Sequence, residues 1–169
     1  SSCAGNPTKV STFQRVPERS YASKIDSVSI NEIKTSASCP ANSFVEKEMD
    51  YKKLMSLANG CIAKAQWSTV DQIGERLHSL QPDLPWGAYY MSVSSENRNH
   101  IERAQWMIDL ALKKAPKTGL LKYQLGRILW TKKFYKESLS NMESAIELDP
   151  NINDAYVFLG QVYLRELNF

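Results

Sequence analysis

Cys3, Cys39, Cys61, His78 and His100 are the side chains best suited to metal ligation or nucleophilic chemistry, and their spacing supports neither. No two cysteines form a C-x-x-C pair, and neither histidine lies near a cysteine, so no metal site is expected. The chain has no glycine-rich phosphate loop, no G-x-S-x-G elbow and no H-E-x-x-H helix. Neither histidine has a nucleophile in register. The expectation is a non-enzyme without a cofactor, whose chemistry is recognition. Three cysteines also leave one over if the other two pair.

The elements that could support recognition begin with size and charge. The chain has 169 residues and an apolar fraction of 43%, enough for one domain with a core, with or without a tail. Its 21 Lys and Arg against 18 Asp and Glu give a net charge of +3, far from the basic stripe of a nucleic-acid binder. No apolar run approaches the roughly 20 residues of a membrane-spanning helix.

The chain then divides in two. Residues 1–42 are crowded with serine (Ser1, Ser2, Ser11, Ser20, Ser23, Ser27, Ser29, Ser36, Ser38) and contain Pro7, Pro17 and Pro40. Apolar residues there are sparse and lack helical spacing, so this stretch is expected to be an extended tail or tether. The half-alternating run Val28-Ser29-Ile30-Asn31-Glu32-Ile33 could lie extended against the folded part. From residue 43 the pattern is helical throughout. Ser43-Phe44-Val45-Glu46 and Asn99-His100-Ile101-Glu102 have the form of capping boxes, and Gln81-Pro82, Ala115-Pro116 and Asp149-Pro150 should each stop a helix.

Pro82, Pro116 and Pro150 stand 34 residues apart, and other positions keep that register: Ala111 with Ala145, Ala104 with Ser138, and Leu125-Gly126 with Leu159-Gly160. A fixed period of this length marks stacked helical hairpins, with small residues where two helices cross closely. Gly126, Gly160, Ser92 and Ala58 share one such crossing; Leu125, Met142, Ile108, Tyr156 and Leu159 should fill the gaps between hairpins. The segments Tyr135 to Pro150 and Asn153 to Tyr163 resemble the second and first helices of a tetratricopeptide (TPR) repeat.

That resemblance implies an all-α TPR solenoid behind an extended N-terminal segment. The domain would cover residues 43–169, with repeats at 51–84, 85–118 and 119–152 and a final helix at 153–169. In the first repeat Val70 and Leu77 replace small residues, Gly74 interrupts the second helix, and extra turns from Ser43 to Asp50 lengthen the first helix as a cap. The final helix, with Tyr156, Phe158, Val162, Tyr163 and Leu167, carries more apolar surface than one neighbour can cover. A further helix after Phe169, or a partner, is expected to cover the rest.

The resemblance also places the first helix of each repeat on a concave face. Its groove positions are then Met55, Asn59 and Ile62; Trp86, Tyr89 and Val93; Tyr123, Arg127 and Trp130; and Val157, Gln161 and Leu164. Such a face suits an extended peptide or an amphipathic helix with apolar anchors. The chaperone-binding members of the family grip a C-terminal carboxylate with lysines and asparagines. Asn59 matches one clamp position, whereas Val93 and Gln161 do not, so no chaperone partner is expected. Lys113, Lys114, Lys117, Lys122, Lys132, Lys133 and Lys136 should sit on turns and outer faces.

Cys3, behind Ser1-Ser2 and before Ala4-Gly5-Asn6 and a polar tether, resembles the lipid-attachment site of a bacterial lipoprotein. An exported protein permits disulfides, and Cys39–Cys61 would staple the end of the tail to the first repeat; a buried, reduced Cys61 is the alternative. The architecture resembles small lipoproteins that assist pilus assembly or secretin targeting, with a secretin or other envelope component as partner, an outer-membrane anchor and a periplasmic location. A soluble cytoplasmic TPR adaptor and a scaffold for cell-wall enzymes are the other readings.

Overall fold

The computed structural model describes residues 39–40 and 42–167. Cys3, the Val28–Ile33 run and nearly all of the tail lie outside them. Among the described residues eight helices follow in order: α1 (Asn42–Val45), α2 (Tyr51–Ala63), α3 (Trp67–Leu80), α4 (Trp86–Asn97), α5 (Ile101–Lys114), α6 (Gly119–Thr131), α7 (Tyr135–Leu148) and α8 (Asn153–Leu167). α3, α5 and α7 begin and end 34 residues apart, so the period in the sequence is a period of helices. Each packs on the helices before and after it in the chain. The result is an antiparallel hairpin stack.

The second helices are amphipathic. α3 buries Val70, Ile73, Gly74 and Leu77, α5 buries Ala104, Met107, Ile108 and Ala111, and α7 buries Ser138, Met142 and Ala145. These positions recur at three- and four-residue steps and form one stripe. α4 differs. Every residue from Gly87 to Ser95 is buried, because the helix lies against α3 and α5 and also touches α6. Its serines are satisfied internally: Ser92 Oγ donates to Ala104 O (2.8 Å) and Ser94 Oγ to Trp67 O (2.7 Å). In the next repeat Ser138 Oγ donates to Gly126 O (2.7 Å). Both of these crossings thus pair a serine with a small partner, and the hydroxyl changes helix between the two repeats.

The hairpin turns repeat as well. Ala65, Asn99 and Lys133 have left-handed backbones, with φ of 53°, 62° and 67°. After each, an amide reaches back five residues: Gln66 N to Cys61 O (3.0 Å), His100 N to Ser95 O (2.8 Å) and Phe134 N to Leu129 O (2.9 Å). This is a Schellman closure, which glycine normally occupies. Asn99 therefore ends α4 and does not cap α5, whose capping residue His100 makes no side-chain capping bond. Alanine and lysine carry a left-handed cost of about 1 kcal/mol. Ala65→Gly and Lys133→Gly are each expected to raise stability by about 0.5–1 kcal/mol in urea unfolding, and Asn99→Gly by less.

Two further local expectations need correction. Ser43 lies inside α1, and the chain turns at residues 46–47, so α2 is not extended back to Ser43. The break is stabilised by Glu48, whose carboxylate accepts from the amides of Met49 and Asp50 (3.0 Å each), while Asp50 Oδ1 caps α2 through Lys53 N (3.0 Å). Gly74 does not interrupt α3. It is buried where α3 and α4 cross, opposite Gly87. Cys39 and Cys61 are joined by a disulfide with a Cα–Cα distance of 4.7 Å, and Cys61 is completely buried.

Candidate functional site

The first helices α2, α4 and α6 meet side by side through polar contacts. Tyr90 Oη donates to Asn59 Oδ1 (3.0 Å) and reaches Met55 O (3.4 Å), tying α4 to α2. Arg127 pairs with Glu96 across α6 and α4 (3.0 Å), and Gln124 Nε2 donates to the other Glu96 oxygen (2.8 Å). Only 9% of the Glu96 side chain is exposed, against 33% for Arg127.

Aromatic rings surround this polar seam. Tyr89 meets Trp86 edge-on at 6.1 Å and Tyr90 at 5.1 Å, and the Arg127 guanidinium lies 6.0 Å from the Tyr123 ring centre. Burial pushes the Tyr89 phenol well above its ordinary range, and Tyr123 is raised for the same reason. Burial also raises the Glu96 carboxyl, against the opposing pull of Arg127 and Gln124.

The sign of the Glu96 shift fixes a pH effect. A carboxyl that holds its proton more tightly when folded favours folding below its unfolded pKa. That contribution is lost as pH rises through the higher folded value. Wild type should therefore lose stability relative to Glu96→Gln as pH rises from about 4 through the raised folded value. Parallel pH–stability curves for the two proteins would remove Glu96 as the cause.

The residues expected on the groove fall into four groups. Met55 (0% exposed), Tyr89 (9%) and Val93 (5%) are buried and form floor, not open surface. For Met55 the reason is visible in the Tyr90 bond to its carbonyl: the neighbouring first helix lies directly against it. Trp130 fills space between hairpins, 4.7 Å from the Tyr135 ring and 5.4 Å from that of Phe158. Asn59, Ile62, Trp86, Tyr123 and Arg127 are half-buried, and Val157, Gln161 and Leu164 are exposed. The most open part of the face is thus α8, with Tyr123 and Arg127 of α6 half-buried.

Glu96, Gln124 and Asp154 were not anticipated on this face. Glu96 could have been: it lies seven residues after Tyr89 and three after Val93, on the same side of α4. Asp154, in the first turn of α8, acts electrostatically on both Tyr89 and Tyr123. Two of the lysines are engaged elsewhere. Lys132 pairs with Glu102 and Gln105 of α5, and Lys114 bonds the Pro82 carbonyl.

This geometry matches that of known repeat domains. The Sgt2 TPR domain from Aspergillus fumigatus superposes with a TM-score of 0.60 at 21% identity, covering 70% of this chain and 79% of that one. The fold is a TPR solenoid. MamA is similar at a TM-score of 0.58 and 14% identity, covering 75% of each chain. The first TPR domain of Spaghetti (RPAP3), bound to the HSP90 peptide SRMEEVD, gives 0.58 at 14% identity, covering 72% of this chain and 98% of that one. No family model and no curated protein matches the sequence.

Within the solenoid this chain has its own pattern. Arg127 is engaged by a nearly buried carboxylate, and Val93, the residue in the same repeat position 34 residues earlier, is apolar and buried. The arrangement has the parts of a recognition surface: rings, an amphipathic cation and apolar anchors.

Proposed function

We propose that the protein is a protein-interaction scaffold that binds a partner's peptide or helix on the face of its first helices, and that it is not an enzyme. The observation that carries this reading is the open α6–α8 surface. Tyr123 and Arg127 are half-buried on α6, Tyr123 packs against the cluster that holds Ala155 of α8, and Val157 (62% exposed) and Leu164 (64%) lie open on α8, whereas Met55, Tyr89 and Val93 are closed. Tyrosine and arginine are the types that dominate binding energy at interfaces, and apolar neighbours supply the area.

We further propose a membrane-anchored lipoprotein carrying its lipid on Cys3 and facing the periplasm from the outer membrane. There it would assist assembly of a pilus or secretion complex, with a secretin or other envelope component as partner. The Cys39–Cys61 bond favours an oxidising compartment, which supports export. A cytoplasmic adaptor would have to keep this bond in a reducing environment.

Two experiments test the reading. Tyr123→Ala with Val157→Asp should weaken partner binding by about a hundredfold in calorimetry, two hot-spot losses of about 1–2 kcal/mol each, while Trp106→Ala on α5 leaves it unchanged. Equal binding by all three proteins would overturn the binding face. Labelled fatty acid incorporated in the host should depend on Cys3; label that survives Cys3→Ala, or none in wild type, would overturn the anchor.

A further inference from the structure

The binding face carries a local charge opposite to that of the whole chain. Tyr89 and Tyr123 are influenced by one guanidinium, Arg127, and by two carboxylates, Glu96 and Asp154. Arg127 is held at 3.0 Å by Glu96, whose second oxygen takes Gln124, and the pair sits where Glu96 is 9% exposed. Asp154 is exposed at the start of α8, beside the apolar wall that begins with Val157. The net charge of the chain is nevertheless +3.

An acidic ligand approaching Arg127 would have to displace Glu96, leaving a desolvated carboxylate without its cation. A basic side chain meets no such barrier and finds Asp154 available in solvent. We infer that this face selects apolar segments bearing a basic side chain and rejects acidic ones, with Asp154 receiving the cation and Glu96 withholding Arg127 from anions. This rests on the reading that the α6–α8 face is the binding surface, and it adds the chemical class of the partner.

The test uses two labelled peptides with the same amphipathic leucine stripe, one with lysine and one with glutamate at the flanking positions. Anisotropy titrations on the full chain should give about tenfold tighter binding of the lysine peptide. Long-range attraction to a chain of net positive charge works in the other direction, so this preference would report the local face. Asp154→Asn should lower lysine-peptide affinity several-fold. Glu96→Gln should raise glutamate-peptide affinity by freeing Arg127.

The failures are separable. If both peptides bind equally well and Tyr123→Ala weakens both, the face binds and the charge selection is wrong. A preference for the glutamate peptide in wild type also overturns the selection. If Tyr123→Ala weakens neither peptide, the binding face itself is misplaced and the selection falls with it.

Discussion

Gly87→Ala is expected to cost about 3 kcal/mol, a large effect for one added methyl group. A Cβ at residue 87 would stand 2.6 Å from His78 N, 2.9 Å from His78 Cα and 2.8 Å from Gly74 O. All three are backbone atoms, so no rotamer change relieves the contact; α3 must move off α4. Because α4 is buried on every side, that movement disturbs the packing of the first two repeats together.

Other glycines calibrate the claim. At Gly126 the three atoms nearest a Cβ all belong to the flexible Met142 side chain, at 2.8–3.2 Å, so Gly126→Ala should cost about 1 kcal/mol. At Gly160 it meets nothing within 4 Å, and Gly160→Ala should stabilise by up to about 1 kcal/mol through helix propensity. Urea unfolding of the three variants checks the ranking. Equal losses at Gly87 and Gly126 would mean the α3–α4 crossing is looser than described.

Loss of the Cys39–Cys61 bond is expected to cost about 3 kcal/mol, since it closes a loop with a sequence separation of 22. The effect should be local. Cys61 lies in α2, and α1 packs on α3, so reduction frees the chain before α2 and weakens that end of the stack. Hydrogen exchange with and without reductant should show lost protection in α1 and α2 and unchanged protection in α6 and α7. Unchanged exchange at α2 would show that the helix is held by packing alone, and loss spread over all repeats would show a cooperative unit larger than the first hairpin.

Much of the fold was legible because the repeat obliges the same residue types to do the same job. Pro82, Pro116 and Pro150, with Ala111 and Ala145, report a helix-crossing geometry that any stacked hairpin must satisfy, and α3, α5 and α7 follow them in register. The turns were hidden. Ala65, Asn99 and Lys133 also lie 34 residues apart, but alanine and lysine give no sign of a left-handed backbone, and Asn99 reads equally well as a cap.

The binding face was legible in outline only. Helical spacing gives the side of a helix on which Met55, Tyr89 and Val93 lie. It does not reveal how closely the next first helix approaches, and that approach decides burial. Glu96 was passed over because a glutamate near a helix end usually lies in solvent; here Arg127 and Gln124 draw it under cover. Gly74 misled for a related reason. Its partner Gly87 lies on another helix, and only the pair explains either one.

The central claim is that partners bind on the first-helix face between α6 and α8. The most direct measurement places a photo-crosslinking residue at Tyr123 or Val157, and in a control at Trp106 on α5, in the protein expressed in its host. The account predicts a discrete crosslinked partner from Tyr123 and Val157 and none from Trp106. A partner captured only from Trp106, which is 64% exposed, would contradict the account and move the interaction to the α5 surface.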